Sequence, residues 1–253
     1  MTINKKDLII RLLKGIETGD PTSVLVVNEE EYIQHNPQTH EGSEGLAVLF
    51  KRLSKTSPRV NIVRAFEDGD FVFAHTEYDF ANRNIGFEIF RFNKGKAVEH
   101  WDNIQKRAGP NTIGYSMVDG NTTAVDLDKT EKNRSTINAF ILKVIAKENI
   151  EELSTYINQA CYTEHNPNLD NKFKIINLSL RKDADSNNIR YKKCHRILAE
   201  GNFVLSVCEG FVNEIHSSLF DLFRLENDKI VEHWDTTEAI PPQSSWKNNN
   251  GKF

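Results

Sequence analysis

Val98-Glu-His-Trp-Asp102 recurs unchanged as Val231-Glu-His-Trp-Asp235, 133 residues further along the chain. Upstream of each copy stands a second shared motif, His35-Asn-Pro37 returning as His165-Asn-Pro167 at an offset of 130 residues. Order is kept and spacing nearly so. The 253 residues therefore read as two copies of one domain, each of ordinary domain size. One copy is expected over 1–110 and the other over 125–240. Between them 108–128, rich in Gly, Asn, Thr and Asp and without a clear period, reads as a linker, and 241–253 reads as a loose end.

Working outward from the motifs, Leu8, Ile9, Leu12, Leu13 and Ile16 share one helical face that stops near Gly19-Asp-Pro21. A second helical pattern begins at Ser43, with Leu46, Leu49, Phe50 and Leu53 in phase. Four strand-like runs follow at 59–66, 71–80, 86–92 and 97–105, punctuated by Asp68-Gly69 and Asn93-Lys-Gly95. In the second half Ile137, Phe140, Ile141, Val144 and Ile145 mark a helix, 173–181 a shorter one, and 182–188 a polar insert-like stretch. Strands are expected there at 189–199, 203–212, 217–225 and 230–238. Helices followed by closely spaced strands predict an α+β domain, an antiparallel sheet with helices on one face.

Composition narrows the function classes. With 38% hydrophobic residues and 27% charged, the chain can bury a core. Its 32 basic and 36 acidic residues are interspersed for a net charge of −4, which leaves no nucleic-acid footprint. No apolar run approaches the roughly 20 residues a membrane helix needs, and the first residues lack a secretory leader, so a cytoplasmic protein without membrane partners is expected. Cys161, Cys194 and Cys208 are odd in number and form no CxxC pair, so neither a disulfide framework nor a zinc site is expected. No phosphate-binding loop, nucleophile elbow or HExxH motif is present.

Strand parity turns the repeated pentapeptide into chemistry. Val98, His100, Asp102 and Ile104 point one way while Glu99, Trp101 and Asn103 point the other. Beneath covering helices, burial moves a histidine and a carboxylate toward neutrality, where proton transfer works best. His233 and Asp235 repeat the pair. Other polar strand residues are candidates for the pocket wall: His75, whose counterpart is Val207, Glu77 and Glu209, which correspond, and Glu88, which aligns with Asp221. The same residues have bland readings as a structural His–Asp pair, as a His-Asn-Pro turn, or as outward-facing charges.

Tyr-x-x-His-Asn-Pro after a first helix, closed by a terminal Val-Glu-His-Trp-Asp strand, resembles the SnoaL-like polyketide cyclases of the NTF2-like superfamily, once per half. The resemblance implies two tandem cone-shaped barrels, each a curved antiparallel sheet wrapped by helices around a deep pocket. It implies a pocket aspartate acting as general acid/base in an aldol ring closure, with no metal and no cofactor. By motif that role falls on Asp102 and Asp235, with His100 and His233 as partners and His35 and His165 lining the same cavity. Tyr32 and Tyr162 with His75, Glu77, Glu88 and Glu209 complete the expected substrate-binding set.

The expected activity is cofactor-independent aldol condensation, cyclisation or isomerisation on a small hydrophobic carbonyl compound, with the first half as the better preserved site. The alternative is a non-catalytic binding or interaction module. NTF2-like domains pair sheet to sheet, so an intramolecular pseudo-dimer burying Trp101 and Trp234 is expected, a homodimer being the other arrangement open.

Overall fold

The computed structural model describes residues 4–168 and 189–253. Two compact units divide the chain, one of Met1–Lys106 with Ile240–Phe253 and one of Arg107–Ala239. The expected helix at 173–181 and the stretch at 182–188 lie outside the described residues.

In the first unit, α1 (Lys5–Thr18) starts where the Asn4 side chain accepts a hydrogen bond from the Asp7 amide, and it ends at Gly19 with φ +68°. That left-handed cap costs glycine no Cβ clash and lets its N–H bond the Gly15 carbonyl. The predicted apolar face of Ile9, Leu12, Leu13 and Ile16 is buried. It packs with Val72, Ala74, Tyr78 and Phe90 of the sheet. After β1 (Ile33–Gln34) and α2 (Gly42–Leu53) come β2 (Arg59–Asp68), β3 (Phe71–Asp79), β4 (Arg83–Asn93) and β5 (Lys96–Lys106). The sheet order is β1-β5-β4-β3-β2. The four long strands are antiparallel, and β1 adds a two-residue parallel pairing of Ile33 and Gln34 with Glu99 and His100.

The 241–253 tail is not loose. Asn248 and Lys252 are buried, and the Asn248 amide donates to the carbonyls of Asn36 and Thr39 while the Asn250 amide donates to that of Gln34. Side-chain amides do for this polar segment what hydrophobic burial does elsewhere.

The second unit repeats the plan. α3 (Thr130–Phe140) continues as a π-helical turn over Ile141–Ile145, followed by the single turn α4 (Leu153–Tyr156). Its apolar residues Ile137, Phe140, Ile141 and Val144 cover one face of a sheet ordered β6-β10-β9-β8-β7. These strands are β6 (Thr163–Glu164), β7 (Ile189–Glu200), β8 (Phe203–Val212), β9 (Ile215–Glu226) and β10 (Lys229–Ala239). β6 again pairs parallel to the terminal strand. Both units are thus α+β, each with a five-stranded mixed sheet rather than a purely antiparallel one. Among the described residues no helix is long and apolar enough to cross a membrane.

Candidate functional site

Alternation along β5 places His100 and Asp102 on the face covered by α1, opposite Phe90 and Glu88 of β4. His100 Nε2 lies 2.7 Å from Glu88 Oε2, its Nδ1 lies 3.1 Å from Gln34 Oε1, and the Tyr78 hydroxyl donates to Glu88 Oε1 at 2.7 Å. Asp102 accepts from the Asn36 amide at 2.6 Å on one oxygen and from the Lys252 ammonium at 3.3 Å on the other. Burial opposes the charge on Asp102, but Lys252, His100 and the Asn36 bond together outweigh it and hold the carboxyl below its ordinary value. The Tyr32 hydroxyl is sealed here with no hydrogen-bond partner among the described residues, its pKa pushed well up by burial and by Glu88 and Asp102. Glu88, His100 and Asp102 also present donor atoms within 4.8 Å of one another, a set that could hold a metal ion, although Lys252 already brings a positive charge to Asp102.

The second unit builds the same frame with different charges. His233 sits between two carboxylates, with Nε2 3.2 Å from Asp221 and Nδ1 3.0 Å from Glu164. Burial works against its cation, yet Glu164 and Asp221 carry its pKa well above the ordinary value. The Tyr162 hydroxyl donates to Glu164 at 2.7 Å and the Tyr191 hydroxyl to Asp221 at 3.0 Å. Asp235 accepts the Asn166 amide at 2.7 Å on Oδ2, while its Oδ1 is shielded from solvent with no partner among the described residues. Burial is the main force raising the Asp235 carboxyl to about 7, aided by the charges of Glu164 and Asp221 and opposed by His233.

Several expected residues fall elsewhere. His35 and His165 do not join the aspartates: each ring stacks on the tryptophan of the opposite sheet face, at 4.6 Å from Trp101 and 4.7 Å from Trp234. Their Nε2 atoms face Glu99 and Glu232 at 2.9 Å, and their Nδ1 atoms face the carbonyls of Gly251 and Ser116. His75 is on that opposite face too, its Nδ1 2.6 Å from Arg64 Nη1 and its ring edge-on to Phe87, because β3 alternates it with the core residues Ala74 and Thr76. Glu77 shares its parity. Glu209 lies among Lys192, His195 and His216, whose hydrogen bonds overcome the cost of its partial burial and draw it down to about 2. Glu88 is buried on the covered face, and Tyr32 and Tyr162 are buried in the hydrophobic cores of their units.

Gln34, Asn36, Tyr78 and Lys252 in one unit and Asn166 and Tyr191 in the other did not stand out in the sequence as site residues, and Glu164, which reads there only as too isolated for a metal site, is a partner of His233. The asparagines were visible within the quoted motif. Lys252 carried no signal.

A cavity of about 490 Å³ opens in the second unit between the π-helical turn and β7, with Ile141, Leu142, Tyr191, Cys194, Arg196 and Cys208 in its wall. The first unit has a smaller hollow of about 240 Å³ beside Gly15, Pro21, Val24 and Phe50, which none of the expected site residues lines.

Residues 9–100 match the model of the SnoaL-like domain. The SnoaL-like match thus spans the first unit from α1 to the histidine of its pentapeptide. No curated protein matches the chain. Among solved structures, TsrD from Streptomyces laurentii is 21% identical with a TM-score of 0.36, over 40% of this chain and 87% of its own. An NTF2-like protein from Cytophaga hutchinsonii is 18% identical with a TM-score of 0.36, over 42% of this chain and 93% of its own. An LEH-like epoxide hydrolase from M. tuberculosis is 15% identical with a TM-score of 0.34, over 44% and 85%.

Proposed function

We propose that the chain is a small-molecule enzyme whose second unit moves a proton on a hydrophobic carbonyl compound, as in an aldol closure or an isomerisation, using side chains alone. The observation that carries this reading is Asp235, a shielded carboxyl with one oxygen that has no hydrogen-bond partner among the described residues and a pKa raised to about 7. A base of that strength is matched to neutral pH, where it can both take and return a proton. Its strand partner is Asp221, which is bonded to Tyr191, and Tyr191 lines the cavity. The Tyr191 hydroxyl, on turning its single proton away from Asp221, is the group that would donate to a carbonyl oxygen as enolate charge grows on it. Cationic His233, held between Glu164 and Asp221, offsets the negative charge of this cluster.

The first unit favours the non-catalytic reading, because Asp102 has both oxygens occupied and an ammonium beside it. The match to the SnoaL-like domain lies in the first half, the half expected to be the better preserved, whereas the proposed chemistry rests on the second. The test is deuterium wash-in at the α-carbon of a panel of hydrophobic ketones and β-diketones in heavy water, followed by NMR. Wash-in lost in Asp235→Asn and kept in Asp102→Asn supports the proposal. Wash-in that survives Asp235→Asn contradicts it.

A further inference from the structure

Cys194 and Cys208, unremarkable in the sequence, are direct partners across β7 and β8. Directly opposed residues of an antiparallel pair have Cα atoms about 4.5–5.5 Å apart, inside the window a disulfide bridges without moving the backbone. Register shifts on both sides of Cys194, at Tyr191/Lys193 and at Cys194/Arg196, interrupt the alternation of β7. Such bulges re-aim side chains. Cys194 consequently lines the cavity alongside Cys208, and both thiols are free. Cys208 is 1% exposed and touches Ser206 Oγ at 3.9 Å, whereas Cys194 is half-buried with its thiol 3.5 Å from the Arg196 carbonyl.

We propose that Cys194 and Cys208 are a reversible dithiol–disulfide pair, oxidised through the cavity by a low-molecular-weight disulfide of the glutathione type. The Cys194 thiolate attacks one sulfur of the small disulfide, whose S–S bond breaks and releases one small thiolate. Cys208 then gives up its proton and attacks the Cys194 sulfur, the mixed disulfide breaks, and the second small thiol leaves. The two protein thiols are oxidised and the one small disulfide is reduced to two thiols, so electrons and protons balance. The order follows from environment. The neighbouring Cys208 holds the Cys194 pKa down against its burial, and Lys192, Lys193 and Arg196 stand on the same rim. Cys208 is held up by Cys194 and by burial and acts second. The product staples edge strand β7 to β8 and fixes the cavity wall.

The test equilibrates the intact chain with glutathione disulfide, quenches with an alkylating agent and maps peptides by mass spectrometry. The expected result is a Cys194–Cys208 crosslink with the loss of two hydrogens, reversed by dithiothreitol, while exposed Cys161 carries at most a glutathione adduct. Cys208→Ser should trap a glutathione adduct on Cys194, and Cys194→Ser should leave Cys208 unmodified. Circular dichroism of each variant confirms that it is folded. The proposal is overturned if the folded wild type keeps both thiols alkylatable while Cys161 reacts, or if Cys208 forms the adduct in Cys194→Ser.

Discussion

Asp102 and Asp235 close the same five-residue word, yet their surroundings push them apart. In the first unit the cation Lys252 meets Asp102, and in the second Asp235 meets the field of two further carboxylates. Removing one partner of a buried ion pair leaves the other charge uncompensated, so Lys252→Met should cost about 3–5 kcal/mol in urea unfolding of the first unit. In an Asp102→Asn background the same change should cost much less.

For Asp235 the sign runs the other way. Its folded pKa of about 7 exceeds its ordinary 3.8, so the native state binds the proton more tightly, and that contribution is complete below pH ~4 and lost as pH rises through 7. About three pK units correspond to at most roughly 4 kcal/mol. Asp235→Asn should therefore stabilise the second unit at pH 8 and flatten its stability between pH 4 and 7 in thermal melts. Wild-type proton exchange should rise with pH through about 7 as the base ionises. His100 and Asp102 were legible from strand parity because they lie inside a long strand. His35 was not, since it follows a two-residue strand too short to set a parity, and its stack on Trp101 is a contact between residues far apart in sequence.

At the scale of elements, the eight long strands were legible because alternation and Gly- or Asn-bearing turns bracket each one. β1 and β6 were not, for two residues carry no period. The bulges of β7 hid the inward aim of Cys194 for a related reason, since an inserted residue shifts the alternation that a sequence reading depends on. The turn between β7 and β8 shows how local chemistry fixes a hairpin. Gly201 has φ +58°, and a Cβ there would stand 2.0 Å from the Val125 carbonyl oxygen. Gly201→Ala should lower the stability of the second unit by roughly 2 kcal/mol or more, measured by denaturant midpoint. The tail eluded reading because Lys247-Asn-Asn-Asn-Gly-Lys-Phe253 has the composition of a loose end, and what orders it is a set of asparagine amides aimed at carbonyls of the His-Asn-Pro segment.

Over the whole molecule, the segment after β5 belongs to the second unit and the segment after β10 to the first, so the units are interleaved in sequence although each carries its own sheet. Deleting 241–253 should then lower amide protection in β5 and β1 while leaving β8 and β9 protected, measured by hydrogen exchange. The repeat made two domains legible. It could not show that one copy has a neutralised aspartate, because the neutralising lysine stands 150 residues from it in sequence. The most direct test of that asymmetry is carboxyl-carbon NMR of the chain labelled at aspartate and titrated with pH. One aspartate is expected to titrate with a midpoint near 7 and to vanish in Asp235→Asn, while the Asp102 signal shows no transition above the ordinary aspartate range. A midpoint near 7 for Asp102, or two motif aspartates that titrate together, would contradict it.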